Sequence, residues 1–150
     1  MRTLAVDLGA RRVGLALSDA GGKLATPLDV LHVTEAGQAL EGVCELIRRE
    51  GAERVVIGLP LNMDGTAGPQ AERAIEWGRK LQQRCGIAVL LVDERLSSFE
   101  AGQRLVDRKR LGEKITRARK KRVLDAHAAA AFLQDFLDGT VKAHQRLDPP

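Results

Sequence analysis

Two short apolar runs open the chain, Leu4-Ala5-Val6 and Val13-Gly14-Leu15-Ala16-Leu17, and each is followed by a carboxylate, Asp7 and Asp19. Runs of this length bounded by polar and glycine residues read as strands. The pattern predicts strands over residues 3–7, 13–19 and 25–33, with Gly21-Gly22 marking the second turn of an antiparallel meander. Thr34 is placed to cap a helix over 35–50, where Leu40, Val43, Leu46 and Ile47 share one face and Gly51 ends it. Residues 54–58 form an almost wholly apolar run, as in a strand covered on both faces. A loop dense in breakers, Leu59-Pro60-Leu61-Asn62-Met63-Asp64-Gly65-Thr66-Ala67-Gly68-Pro69, leads to a helix over 69–84 that Cys85-Gly86 stops. A buried strand over 88–93 runs into Asp93-Glu94-Arg95, and helices are expected over 98–106 and 119–137. One domain over 1–138 and a flexible polar tail over 139–150 follow from this pattern.

Three meander strands followed by α-β-α-β-α make a mixed α/β sandwich with helices on both faces. Right-handed crossovers make the two later strands parallel to the first. Their C-terminal ends then meet along one edge, where open α/β sheets bind ligands. Asp7, the loop over 58–68 and Asp93-Glu94 all fall there.

A length of 150 residues suits a single core. Cys44 and Cys85 lie in expected helices without metal-ligand spacing, and read as two reduced core thiols. With no basic-then-apolar leader and no run long enough to cross a bilayer, a cytoplasmic protein without membrane partners is expected. Charge adds more. Between Arg104 and Arg122 the chain carries Arg108, Lys109, Arg110, Lys114, Arg117, Arg119, Lys120 and Lys121 besides those two arginines, against Asp107 and Glu113 alone. Such a block is either a solvated surface or the footprint of a phosphate backbone held by charge without reading its sequence. Aromatic residues are few, and Trp77, Phe99, Phe132 and Phe136 all fall in expected helices. That favours a duplex or branched partner over single strands, which are bound on aromatic platforms.

The basic run leads into Asp125, within Val123-Leu124-Asp125-Ala126-His127-Ala128-Ala129-Ala130-Ala131-Phe132. Asp125, Ala129 and Phe132 share one helical face, and the alanines let the helix approach a sheet closely. A carboxylate on that face costs several kcal/mol unless paired or coordinated. One solution is an ion pair with Lys121 or Arg122. The other is that Asp7, Glu94 and Asp125, with Asp93 close by, surround one or two Mg²⁺ or Mn²⁺ ions, which take oxygen ligands and activate water against phosphodiesters. Adjacent strand residues face opposite ways, so Asp93 and Glu94 do not both reach the metals unless the strand has ended. His127 is a lone histidine and reads as a surface or packing residue.

Four segments resemble the YqgF (RuvX) family. They are Asp7-Leu8-Gly9 with Arg12-Val13-Gly14-Leu15-Ala16 and Ser18-Asp19; Gly58-Leu59-Pro60 with Gly65 and Gly68; Asp93-Glu94-Arg95 with Ser97-Ser98; and the stretch from Lys120 to Ala129. The resemblance implies an RNase H-like fold related to RuvC, with a mixed five-stranded sheet. It implies a metal-dependent nuclease of structured RNA or branched DNA, as junction resolvase or in maturing the 5′ end of pre-16S rRNA. Asp7, Glu94 and Asp125 carry over as catalytic metal ligands, with Asp93 a secondary candidate. Arg12, Arg95, Lys109, Arg110, Lys114, Arg117, Arg119, Lys120, Lys121 and Arg122 are the expected nucleic-acid contacts. Two departures are evident: the fourth strand ends in Gly58-Leu59-Pro60, where the wider superfamily often has a carboxylate, so Glu94 must substitute, and Ser97-Ser98 stand where threonines are common, a change that keeps the hydroxyls. A resolvase acts as a homodimer, since a junction presents two symmetric scissile strands, whereas a monomer suits rRNA processing. The rivals are a non-catalytic binding factor in ribosome assembly or transcription on the same fold, and an actin-like phosphotransferase. The latter needs two domains where this chain has room for one.

Overall fold

The protein is described by a computed structural model over residues 1–33, 36–93, 117–141 and 143–147. Strands β1 (Thr3–Leu8), β2 (Arg12–Ser18) and β3 (Ala25–His32) form the expected antiparallel meander. Helix α1 (Ala36–Glu50) crosses to β4 (Arg54–Leu59), and α2 (Pro69–Cys85) crosses to β5 (Ala88–Asp93). Both later strands lie parallel in the order β1-β4-β5. Helix α3 (Arg117–Leu137) and a last strand, β6 (Ala143–Leu147), complete the described elements. The helix expected over 98–106 lies outside the described residues.

Strand alternation divides the core into two layers. Leu4, Val6, Val13, Leu15, Val55, Ile57, Val89 and Leu91 face α1 and α2, where Val43, Leu46, Trp77 and Leu81 meet them. Ala5, Ala16, Val56, Leu90 and Val92 face the other way, against Ala129, Ala130, Phe132 and Leu133 of α3. The second layer is built from smaller side chains on its β1 and β2 side. Alanine opposite alanine there allows the close approach that the sequence of α3 suggests.

The turns have local causes. The Gly9 amide donates to the Arg12 carbonyl at 2.9 Å, and a Cβ on Gly9 would stand 2.6 Å from that same oxygen. Asp19 accepts from the backbone amides of Leu24 and Lys23, at 2.9 and 2.7 Å, which holds its carboxyl below the usual carboxylate range. Helix α2 starts with Pro69 and ends at Gly86, whose φ of 64° and amide bond to the Gln82 carbonyl close the last turn.

Two expectations are corrected. The sheet has six strands rather than five, in the order β3-β2-β1-β4-β5-β6, because part of the stretch expected as a polar tail pairs antiparallel with β5. Ala-His-Gln-Arg-Leu carries little strand signal of its own. It is secured by its backbone ladder to β5 and by Leu147, which packs against the first core layer. Cys44 and Cys85, expected as reduced thiols, are joined as a disulfide between α1 and α2, with their Cα atoms 6.3 Å apart. Their separation of 41 residues gives no hint of this, since only the packing of one helix on the other brings them together. The Arg84–Glu41 ion pair ties the same two helices.

Candidate functional site

Asp7 lies one residue before the end of β1 and shares the parity of Ala5, so it belongs to the face that α3 covers. Its cross-strand partner on β2 is Gly14. A Cβ on Gly14 would lie 2.2 Å from the Asp125 carbonyl oxygen, 2.6 Å from its carbonyl carbon and 3.2 Å from its Cβ. The backbone of α3 at Asp125 thus rests directly on the residue paired with Asp7. Two carboxylates 118 positions apart in sequence are brought to one end of one sheet face by a single missing side chain.

The other neighbour of Asp7 also lacks a side chain. The β1–β4 register sets Val6 beside Ile57, and Gly58 follows with the parity of Val56, on the α3 face. The strand end beside Asp7 thus carries no carboxylate of its own on that face.

Asp125 is half-buried and forms an ion pair with Arg12 at the start of β2, Nε to Oδ2 2.9 Å, the two side chains being 28% and 31% exposed respectively. Lys121 and Arg122 were the partners suggested by sequence proximity. Arg12 comes from the hairpin that follows Asp7, and the side chains of Lys121 and Arg122 lie outside those described. The one sequence signal for this arrangement was a glycine inside an otherwise apolar strand, which marks close backbone approach.

Asp93 ends β5 half-buried, with the parity of Val89 and Leu91 and so of the α1–α2 face, opposite to Asp7. Val92 is the last described residue of β5 on the α3 face. Glu94, Arg95, Lys109, Arg110 and Lys114 lie outside the described residues. Arg117, Arg119, Lys120, Lys121 and Arg122 form the first turns of α3, N-terminal to Asp125 on the same helix. His127 is half-buried two residues beyond Asp125.

Among the described residues no three His, Cys, Asp or Glu side chains converge as a metal-binding group. Asp7 and Asp125 nevertheless have the chemistry a hard divalent cation requires, since both are oxygen donors and Asp125 rests on the strand partner of Asp7. Asp125 already holds a cationic group in the guanidinium of Arg12.

A meander followed by two parallel crossover strands, with a carboxylate at the end of β1 and a helix bringing a second to the same face, defines the RNase H-like class. The solved structure of RuvC from Thermus thermophilus is similar in fold, with a TM-score of 0.59 over 95% of this chain and 99% of that one, at 19% identity. The structure of T. thermophilus RuvC in complex with Holliday junction substrate gives 0.58 over the same shares, at 18% identity. Within that class, the RuvX family model, described as Holliday junction resolvase, matches residues 1–139, and the chain belongs to this family. Curated relatives bear the name "Putative pre-16S rRNA nuclease". The one from Anaeromyxobacter dehalogenans is 44% identical over 92% of this chain and 97% of its own length. That from Pelotomaculum thermopropionicum is 40% identical over 92% and 87%, and that from Acidiphilium cryptum 37% over 91% and 84%. Among the described residues no helix is long and apolar enough to cross a membrane.

Proposed function

We propose that this protein is a divalent-metal-dependent endonuclease that hydrolyses phosphodiester bonds in structured nucleic acid in the cytoplasm. Its substrates are the 5′ leader of pre-16S rRNA, four-way DNA junctions, or both. The observation that carries the reading is the seating of Asp125 on Gly14, the strand partner of Asp7. It supplies two oxygen donors at the sheet edge where such folds bind ligands.

Asp7 and Asp125 would hold the metal, with Glu94 the third ligand. Glu94 is next in sequence after Asp93. The bound ions supply an activated water and charge stabilisation for the leaving oxygen. Asp7, on a strand flanked by two others, holds its carboxylate in place without a large entropic cost on binding. Arg12 holds Asp125 in the free protein and would be available to a substrate phosphate if a metal took its place on that carboxylate. The basic first turns of α3, with Arg95, Lys109, Arg110 and Lys114, supply backbone charge.

Cleavage of a labelled pre-16S 5′ leader and a labelled four-way junction, with Mn²⁺ or Mg²⁺ and with EDTA, tests the reading. Metal-dependent cutting of either supports it and identifies the polymer. Binding of both without cutting under any metal overturns it in favour of a non-catalytic assembly factor.

Replacing Arg12 separates its two roles. Arg12→Ala is expected to tighten Mn²⁺ binding several-fold in calorimetry, because a competing cation has left Asp125, while slowing cleavage. The loss of stability should be no more than about 1 kcal/mol, since the pair is about one-third exposed. Unchanged or weakened Mn²⁺ affinity would show that Arg12 does not compete for the carboxylate.

A further inference from the structure

Helices α1 and α2 cover the same face of the sheet, and Val43, Leu46, Trp77 and Leu81 fill the layer beneath them. Two cross-links join the helices directly. One is the ion pair of Arg84 with Glu41. The other is the Cys44–Cys85 disulfide, whose Cα atoms stand 6.3 Å apart, within the span such a bond allows. These are the chain's two cysteines, and both are half-buried at the rim of the layer. Cys44 stands between buried Val43 and exposed Glu45, and Cys85 ends α2 just before exposed Gly86.

The link spans 41 positions and takes in the end of α1, all of β4 and nearly all of α2. Closing so long a loop removes much of the freedom of the unfolded chain, which favours the folded one. Strand β4 lies between β1 and β5, so the link ties together the helices on either side of an interior strand. A sulfur at the rim of a layer can be reached by an attacking thiolate, as one sealed in the core cannot. Neither cysteine is activated for rapid turnover. Cys85 sits at the C-terminal end of α2, where the helix dipole disfavours a thiolate. The arginines next in sequence or one turn away, Arg84 and Arg48, are held by Glu41 and Glu45. The pair therefore suits a device with two lasting positions better than a catalytic dithiol.

We infer that Cys44 and Cys85 form a reversible staple, opened and closed by exchange with small-molecule thiols and disulfides of the glutathione type, that sets how firmly the α1–α2 layer is held. The inference is independent of the nuclease reading and takes from it only the cytoplasmic location, where protein disulfides are commonly transient and responsive to redox state. The exchange balances. To close the staple, one cysteine loses its proton and its thiolate attacks a sulfur of glutathione disulfide, releasing one glutathione thiolate and leaving a mixed disulfide on the protein. The second cysteine, deprotonated in turn, attacks the protein sulfur of that mixed disulfide and releases the other glutathione. The two cysteine sulfurs are oxidised by two electrons in all, and one glutathione disulfide is reduced to two thiols. Opening is the reverse.

The test equilibrates the full chain in glutathione buffers whose ratio of thiol to disulfide runs from about 1:1 to about 1000:1. Acid quenching, alkylation and intact mass then give the fraction of protein carrying the bond. The protein should be joined at the oxidising end, open at the reducing end and half joined between them. The thermal midpoint should fall by about 8 °C from the joined to the open form. Cys44→Ser and Cys85→Ser should each match the open form and no longer respond to the buffer. Wild type, joined or open, supplies the same comparison if either variant fails to fold. A bond that survives the most reducing buffer would overturn the proposal in favour of a permanent cross-link. So would a bond that fails to form in the most oxidising one, or one that joins two chains on a non-reducing gel. A midpoint that moves by less than about 2 °C would show that the bond does not hold the layer. None of these readouts involves nucleic acid or metal, so failure of the nuclease reading leaves the staple standing, and the reverse.

Discussion

Asp7→Asn is expected to reduce metal-dependent cleavage by about three orders of magnitude while leaving substrate binding within about twofold of wild type. Asparagine keeps the shape of the side chain and its hydrogen-bonding capacity but not the charge that a hard cation needs. Asp7 sits inside a paired stretch of β1, held against Gly14 on one side and next to Gly58 on the other, so no neighbouring carboxylate on these strands can replace it. If the metal supplies several kcal/mol of charge stabilisation, losing about 4 kcal/mol of it corresponds to a rate loss of about 10³. Single-turnover cleavage and gel-shift affinity measured on the same preparations separate chemistry from binding. A mutant that still cuts within tenfold of wild type would remove Asp7 from the chemistry and leave the basic residues as the functional core.

Gly14→Val should be the most damaging single change to both the fold and the site. Its Cβ would collide with backbone atoms of Asp125, 2.2 Å from the oxygen and 2.6 Å from the carbon, and no rotamer of any side chain relieves such a contact. The helix must therefore lift from the sheet. That separates Ala129, Phe132 and Leu133 from Ala5, Ala16 and Val56, and carries Asp125 away from Asp7. Overpacking of this kind costs about 3 kcal/mol or more, equivalent to a fall of about 10 °C in thermal midpoint for a chain of this size. Gly21→Ala is the matched control. There the nearest atom to a new Cβ is Asp19 Oδ2 at 3.4 Å, an ordinary contact, and little change is expected. Calorimetry of the three proteins, with cleavage assays alongside, distinguishes a lifted helix from a general intolerance of glycine replacement. A Gly14→Val protein as stable and active as wild type would show that α3 does not depend on this contact to place Asp125.

The meander and both parallel crossovers were legible because they rest on local signals: short apolar runs, glycine turns and the handedness of β-α-β connections. Asp7 could be singled out for the same reason, as a carboxylate that closes an apolar strand. Asp125 could be singled out because a carboxylate among alanines on a core-facing helix needs a partner. Its partner could not. Arg12 and Asp125 are distant in sequence, and only the packing of α3 on the β1–β2 hairpin brings them together. Strand β6 was missed because a polar edge strand is made by the unpaired backbone of β5 and not by its own side chains. The Cys44–Cys85 link was missed because pairing depends on how two helices pack.

Periodicity and composition over a few neighbours are enough for the meander, the crossover strands, the two faces of the sheet and the basic run that precedes Asp125. Packing alone fixes that Asp93 has the parity of the α1–α2 face, that Arg12 holds Asp125, and that Gly14 is the floor on which Asp125 rests beside Asp7. These are relations between residues far apart in the chain, and they arise only when close packing of α3 on a glycine and alanine surface sets the distance between them.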